Sequence, residues 1–135
     1  MPDKHVRDYA LRRLEKSSDE LETAQICYNS NKYNAAANRA YYSIYHAVRA
    51  VLALDKVERS KHSGNISYFR EHYIATNIFN RTYSETIKKA EILRNAADYD
   101  DMRETSEGEA QDIINKASDF LEAARIHVTK RIESE

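Results

Sequence analysis

The segment from Tyr33 to Leu54 constrains the fold of this chain most, because it is apolar around most of a helical circumference. A helix with so wide an apolar surface is normally buried on several sides. The segment therefore predicts a central helix whose alanines let neighbouring helices approach closely. Its apolar residues are Ala35, Ala36, Ala37, Ala40, Tyr41, Tyr42, Ile44, Tyr45, Ala47, Val48, Val51 and Leu52.

Three further stretches repeat apolar residues at helical spacing and predict the helices that surround this segment. They are residues 3–29, residues 83–98, and a stretch that runs from a capping box at Ser106 and Glu109 to about Ile132. The 135 residues include only two glycines and one proline, whereas turn-rich β folds need many such breakers. We therefore expect one all-α domain spanning the chain, an antiparallel four-helix bundle plus one short helix.

The region between the central helix and the next long one is less regular. Residues 55–64 are polar and end in a glycine, which predicts a loop. A short helix is expected at about 65–74. Residues 75–82 are then expected to be irregular, with Ile78 and Phe79 filling the core.

The charge balance and the rare chemical groups exclude several classes of protein. The formal net charge is −1, from 21 basic and 22 acidic residues, so no overall charge favours nucleic acid or an anionic membrane, although local patches remain open. No apolar run approaches the ~20 residues of a membrane span, and no signal peptide is visible. We expect a cytoplasmic protein with no membrane partner. His62, His72 and His127 stand apart without metal-ligand spacing, so no metal or cofactor is expected.

The predicted central helix carries one candidate site. Arg39 and His46 are seven residues apart, which places them on one stripe ~10.5 Å apart along the axis, with Tyr42 between them. Arginine neutralises a phosphate and histidine titrates near neutral pH, so the pair suits phosphodiester chemistry. The alternative is structural: Arg39 pairs with an acid on another helix, and His46 is a satisfied interior histidine.

A second candidate lies at the end of the predicted helix 83–98. Arg94, Asp98 and Tyr99 occur there within a few residues. The structural alternative is an ion pair with the central helix, covered by Tyr99. The tyrosines of the central helix have two interpretations as well, core packing or a groove where their hydroxyls and rings meet a ligand.

These segments together resemble the HEPN family, named for higher eukaryotes and prokaryotes nucleotide-binding. The resemblance rests on residues 33–47, 61–64 and 93–99, with the sequences YNAAANRAYYSIYHA, KHSG and LRNAADY. Their order and spacing are similar to those of the stand-alone prokaryotic branch, and the resemblance covers nearly the whole chain.

The resemblance implies a four- or five-helix bundle that commonly forms a homodimer and is often paired with a minimal nucleotidyltransferase as toxin and antitoxin. Active relatives are metal-independent ribonucleases with an Arg-x(4–6)-His motif. In this chain Tyr99 follows Arg94 at the place of that histidine, while Arg39 and His46 satisfy the spacing in a different helix. The resemblance therefore leaves Arg39 and His46 as catalytic candidates and favours binding without cleavage.

We predict a ligand site formed by Arg39, Tyr42, His46, Arg94, Asp98 and Tyr99. The expected function is a non-catalytic, homodimeric HEPN-type protein that binds RNA, a nucleotide or a partner such as a nucleotidyltransferase. Two alternatives remain, a metal-independent toxin-type ribonuclease and a structural helical adaptor.

Overall fold

A computed structural model describes residues 3–99 and 103–134, with the side chains of residues 97–99 left out. The described residues form helices and no strand, which confirms the predicted all-α class. A π-helical turn, Arg70–Ile74, continues the short third helix. The helices are α1 (Lys4–Asn29), α2 (Tyr33–Leu54), α3 (His62–Phe69), α4 (Thr82–Tyr99) and α5 (Glu107–Ser134).

Helix α2 is the centre of the bundle, as its apolar circumference predicts. It packs against α1, α3, α4 and α5, and thirteen of its residues are buried, including most of its alanines. Alanine lets α1 approach closely enough for Ser17 on α1 to donate a 2.7 Å hydrogen bond to the backbone oxygen of Ser43 on α2. The helix α2 therefore presents different faces to α1 and to α4, and side chains from both helices meet on it.

The helix ends follow local sequence signals. The Asp3 carboxylate accepts a 2.9 Å hydrogen bond from the amide of Val6 and caps α1. The predicted capping box at the start of α5 is present: Glu109 N donates to Ser106 Oγ at 3.1 Å, and Ser106 N donates to Glu109 Oε1 at 3.0 Å. Within the described part of the chain, no helix is both long and apolar enough to cross a lipid bilayer.

Helix α3 begins at His62, three residues earlier than predicted. The prediction that the loop extends to residue 64 is therefore wrong. The glycine that indicated a loop, Gly64, lies inside the helix. A side-chain Cβ there would lie 3.1 Å from the Cβ of Arg59, so the glycine accommodates a close approach rather than a chain reversal. Buried Asn65 fixes the same corner by accepting a 2.9 Å hydrogen bond from the amide of Arg59.

The prediction for the irregular segment 75–82 is half right. Phe79 is buried and contacts the rings of Phe69 and Phe120. Ile78 is 55% exposed, because the chain leaves the π-helical turn through a left-handed residue, Asn77, and only one of the two neighbours faces the core.

Candidate functional site

Two arginines from different helices lie over one tyrosine ring on the face of α2 that meets α4. The guanidinium carbon of Arg39 is 4.9 Å from the ring centre of Tyr42, and that of Arg94 is 5.5 Å from it. Arg94 also lies 4.8 Å from the ring centre of Tyr41. We call Arg39, Tyr41, Tyr42, Arg94 and, from the contacts below, His62 the α2–α4 cluster. Each cation–π contact of this kind contributes about 0.5–2 kcal/mol, depending on burial.

Arg39 is held in this cluster by an acid on α1. Its Nη1 atom donates to both carboxylate oxygens of Glu20, at 3.0 and 3.1 Å, and its Nη2 atom donates to Asn38 Oδ1 at 2.7 Å. The side chain of Glu20 is only 20% exposed. The pairing with another helix, one of the two interpretations of Arg39, is therefore present, and it fixes the guanidinium beside Tyr42.

His62, at the start of α3, completes the α2–α4 cluster. Its ring stacks on Tyr45 with centroids 3.8 Å apart and meets Tyr42 edge-on at 5.9 Å. Its Nδ1 atom lies 3.4 Å from the Tyr41 hydroxyl. Burial, followed by the positive charges of Arg94 and Arg49, lowers the pKa of His62. The sequence prediction did not place His62 in the site, although the segment 61–64 was one of the three that carried the family resemblance.

His46 has its polar partner on α1, where α1 meets the C-terminal half of α2. Its Nδ1 atom lies 2.9 Å from Nη1 of Arg13. Because arginine can only donate, Nδ1 must accept and the ring proton must sit on Nε2. Burial lowers the pKa of His46 to about 4, reinforced by the charges of Arg13, Lys16, Arg49 and His62. This histidine is therefore neutral at physiological pH.

The hydroxyl of Tyr9 accepts hydrogen bonds from two arginines in this region. It accepts from Nε and Nη2 of Arg13, at 3.1 and 2.8 Å, and from Nη2 of Arg49, at 3.0 Å. We call Tyr9, Arg13, His46 and Arg49 the α1–α2 cluster. The sequence analysis missed Tyr9, Arg13 and Arg49. The available signal was the spacing of four between Tyr9 and Arg13, which places both on one face of α1.

The four predicted site residues whose side chains the structure describes are thus distributed over two clusters. Arg39, Tyr42 and Arg94 come together, whereas His46 belongs to the α1–α2 cluster. Tyr45 links the two, since its ring lies 6.2 Å from that of His46 and its hydroxyl is 3.4 Å from Nη1 of Arg49. The side chains of the two remaining predicted residues, Asp98 and Tyr99, lie outside the described part of the structure.

Guanidinium groups over tyrosine faces suit the recognition of phosphates and of unstacked bases. Among the described residues, no group of three or more His, Cys, Asp or Glu side chains is placed to hold a metal ion. The chemistry that the two clusters offer is therefore hydrogen bonding from arginine, stacking on tyrosine, and two histidines with lowered pKa values.

The sequence matches the HEPN domain family over residues 10–127. It is 32% identical to a Methanocaldococcus jannaschii protein named "Putative toxin MJ0142", over 87% of this chain and 80% of that protein. It is 31% identical to "Putative toxin MJ0605" of the same organism, over 88% of both chains. A Thermotoga maritima protein named "UPF0332 protein" is 29% identical, over 76% of this chain and 78% of its own length.

Proposed function

The chain belongs to the HEPN domain family, and from this premise we propose that it binds a nucleotide or single-stranded RNA on the α2–α4 cluster without cleaving it. The observation that supports the proposal most directly is the placement of two guanidinium groups, from Arg39 and Arg94, over the ring of Tyr42. Arginine and tyrosine combined in this way offer both a phosphate donor and a stacking surface.

The case against cleavage rests on the available bases. In the α1–α2 cluster, His46 accepts a hydrogen bond from Arg13 and has a pKa of about 4. A general base is most efficient when its pKa lies near the working pH, so His46 is poorly matched to proton transfer at pH 7. Tyr99 stands five residues after Arg94, and a tyrosine, with an ordinary pKa near 10, is a poor replacement for histidine as a base.

The relatives provide the biological setting of the proposal. Two of them carry the word toxin in their names, and the family resemblance includes chains that act beside a minimal nucleotidyltransferase. We therefore place this protein in a two-component toxin–antitoxin system, with a nucleotidyltransferase as its protein partner and a cytoplasmic site of action. Co-purification with a nucleotidyltransferase encoded beside it would test that placement.

A homodimer is part of the proposal. The wide apolar surface of α2 does not itself require a second copy, because α1, α4 and α5 of the same chain cover it. Support comes from the family and from two exposed isoleucines, Ile92 on α4 (54% exposed) and Ile126 on α5 (46% exposed). Sedimentation at micromolar concentration should show a dimer. A monomer throughout that range would contradict this part.

The binding proposal is tested with mixed RNAs and nucleotides in the absence of metal. Arg94→Gln should weaken binding by about tenfold, because it removes a charge-assisted donor and a stacking cation. Arg125→Gln is the matched control, since this arginine lies on α5, pairs with Glu122 and is 45% exposed. RNA incubated with the wild-type protein should remain intact, because no cleavage is expected.

A loss of binding shared by Arg94→Gln and the Arg125→Gln control would contradict the assignment to the α2–α4 cluster. If the folded protein binds no RNA and no nucleotide, the proposal is wrong and the structural-adaptor alternative stands.

One observation favours a second candidate function, a metal-independent ribonuclease. His62 and Arg94 both contact the rings of Tyr41 and Tyr42, so an arginine and a histidine are neighbours although they come from α4 and α3. In such an enzyme Arg94 would steady the scissile phosphate while His62 moves a proton.

The choice between the two functions depends on two histidine variants. Cleavage that is lost in His62→Asn and retained in His46→Asn would establish the ribonuclease with His62 as its base. Cleavage lost only in His46→Asn would instead support the pair of Arg39 and His46. Either result would overturn the non-catalytic proposal.

A further inference from the structure

We propose that Arg13 and Arg49 of the α1–α2 cluster form a second site, one that binds the phosphate group of a nucleotide or of an RNA backbone. The site lies where α1 meets the C-terminal half of α2 and shares no residue with the α2–α4 cluster. It goes beyond the proposed function, because it stands whether or not the α2–α4 cluster binds RNA.

The first support is the charge balance around Arg13. Its guanidinium donates to two uncharged acceptors, the hydroxyl of Tyr9 and Nδ1 of His46. No carboxylate among the described residues forms an ion pair with it. Arg39 is the opposite case, because Glu20 neutralises it. Arg13 is therefore half-buried, fixed in orientation by neutral groups, and still positively charged.

The second support is the field that these cations produce. After burial, the largest contributions to the lowered pKa of His46 come from Arg13, Lys16, Arg49 and His62, and all four act in the same direction. A potential of one sign, focused in a partly buried region, attracts counter-ions. An anion bound beside Arg13 would lower that potential, so His46 is a built-in reporter of occupancy.

The third support is the shape of the surface beside Arg49. A groove of about 290 Å³ opens there, close to the lower limit for small-ligand pockets. Its apolar side chains, Val6, Ala53 and Val57, can hold the non-phosphate part of a ligand. Arg13 does not line the groove but lies beside it, since the Tyr9 hydroxyl accepts from both Arg49 and Arg13. The lining residues are His5, Val6, Tyr9, Arg49, Ala53, Lys56, Val57 and Glu58.

Glu58 occupies the position at Arg49 that an anion would take. Its carboxylate lies 2.7 Å from Nη2 of Arg49, while its side chain is 72% exposed and that of Arg49 only 11% exposed. An ion pair with so exposed a partner contributes little to stability and is readily exchanged. A phosphate can therefore replace Glu58 without displacing Arg49, whose fork of donors matches phosphate oxygens.

The test is a titration of the whole protein followed by NMR of the histidine ring protons. The signals of His46 report on the α1–α2 cluster and those of His62 on the α2–α4 cluster. Inorganic phosphate, AMP and a short oligoribonucleotide are the probes. We expect saturating shifts of His46 with phosphate. Tighter binding of AMP would identify a nucleotide as the source of the phosphate, and tighter binding of only the oligoribonucleotide would identify RNA.

Three variants decide whether the shifts come from this site. Arg49→Gln should weaken phosphate binding by about tenfold through the loss of a charge-assisted donor. Glu58→Gln should strengthen it several-fold by removing the internal competitor, and this exposed position puts the fold at no risk. Arg12→Gln is the matched control: it neighbours Arg13 in sequence but is 59% exposed and pairs with Glu15, so affinity should not change.

The outcomes separate this site from the proposed function. Shifts of His62 alone, insensitive to Glu58→Gln, would overturn the second site and leave the proposed function standing. Shifts of His46 alone would support the second site while the proposed function fails. No shift of either histidine with any probe would overturn both.

Discussion

Two arginine–tyrosine clusters include residues of helix α2, and they balance their charge differently. In the α2–α4 cluster, Arg39 is neutralised by the half-buried Glu20 of α1 and lies over the ring of Tyr42. In the α1–α2 cluster, the acceptors of Arg13 among the described residues are all uncharged, and Arg49 meets an acid, Glu58, that is mostly in solvent. An arginine alone therefore indicates a binding site less well than the groups around it do, because those groups decide whether its charge is already neutralised. The four predictions below test this difference, from the largest expected effect to the smallest.

The largest difference concerns the tyrosines. Tyr41 in the α2–α4 cluster is 2% exposed, whereas Tyr9 in the α1–α2 cluster is 41% exposed. Tyr41→Ala should reduce the free energy of unfolding by about 3 kcal/mol, the cost of a cavity left by a buried aromatic ring. Tyr9→Ala should cost less than about 1 kcal/mol. Equal losses in urea denaturation would show that the two clusters are equally integrated into the core.

The fold behind this comparison could be predicted well from the sequence. The bounds of α2 are those predicted, and α1 and α4 agree within one residue at each end, because strong 3.6-residue periodicity decides them. The start of α3 could not be predicted in the same way. It depends on how closely Arg59 approaches Gly64, which is a property of the packed structure.

The site could be predicted only in part, for a similar reason. A stripe on one helix follows from sequence spacing, and Arg39 and His46 do both face α1. Their partners, Glu20 and Arg13, depend on the register between α1 and α2, which the packing of small side chains such as Ser17 and Ser43 sets. Spacing within one segment therefore identifies which residues share a face, but not what they meet across it.

Acid should destabilise the α1–α2 cluster more than the α2–α4 cluster. The pKa of His46 falls from an ordinary value near 6.5 to about 4 on folding. Between those pH values the unfolded chain binds more protons, so the free energy of unfolding must decrease as the pH falls through this window. With allowance for solvent screening, the loss is roughly 1–2 kcal/mol.

His46→Asn tests this effect, because asparagine can still accept from Arg13 but does not titrate. The denaturation midpoint of the variant should depend less on pH between 6.5 and 4 than that of the wild-type protein. Between pH 7 and 8 the two proteins should show the same pH dependence, because His46 is neutral there in both the folded and the unfolded chain. The lowered pKa values of His62 and His127 should leave a residual slope. An unchanged slope in the variant would contradict the field that we assign to the α1–α2 cluster.

Removing one arginine from each cluster should have different consequences: a loss of stability in one case and a raised pKa of His46 in the other. Arg39→Gln leaves the carboxylate of Glu20, 20% exposed, without its cation, and should cost about 1 kcal/mol. Arg13→Gln removes a charge that opposes protonation of His46, so it should raise the pKa of His46 while changing stability at pH 7 less. The measurements are urea denaturation and an NMR titration of the imidazole. If the pKa of His46 rises in Arg39→Gln and not in Arg13→Gln, the prediction that Arg13 opposes its protonation is wrong.

The smallest effect is expected for the ion pair between Arg49 and Glu58. Although the two charges are 2.7 Å apart, the Glu58 side chain is 72% exposed, and pairs of this kind contribute less than about 0.5 kcal/mol. Glu58→Gln should therefore leave the free energy of unfolding almost unchanged in urea denaturation at pH 7 and low salt. Glu20→Gln, the matched change at the half-buried acid that pairs with Arg39, should cost more, because Arg39 loses the group that neutralises it. If Glu58→Gln is the more damaging of the two, Glu58 is a structural partner of Arg49 and not the exchangeable group that phosphate binding requires.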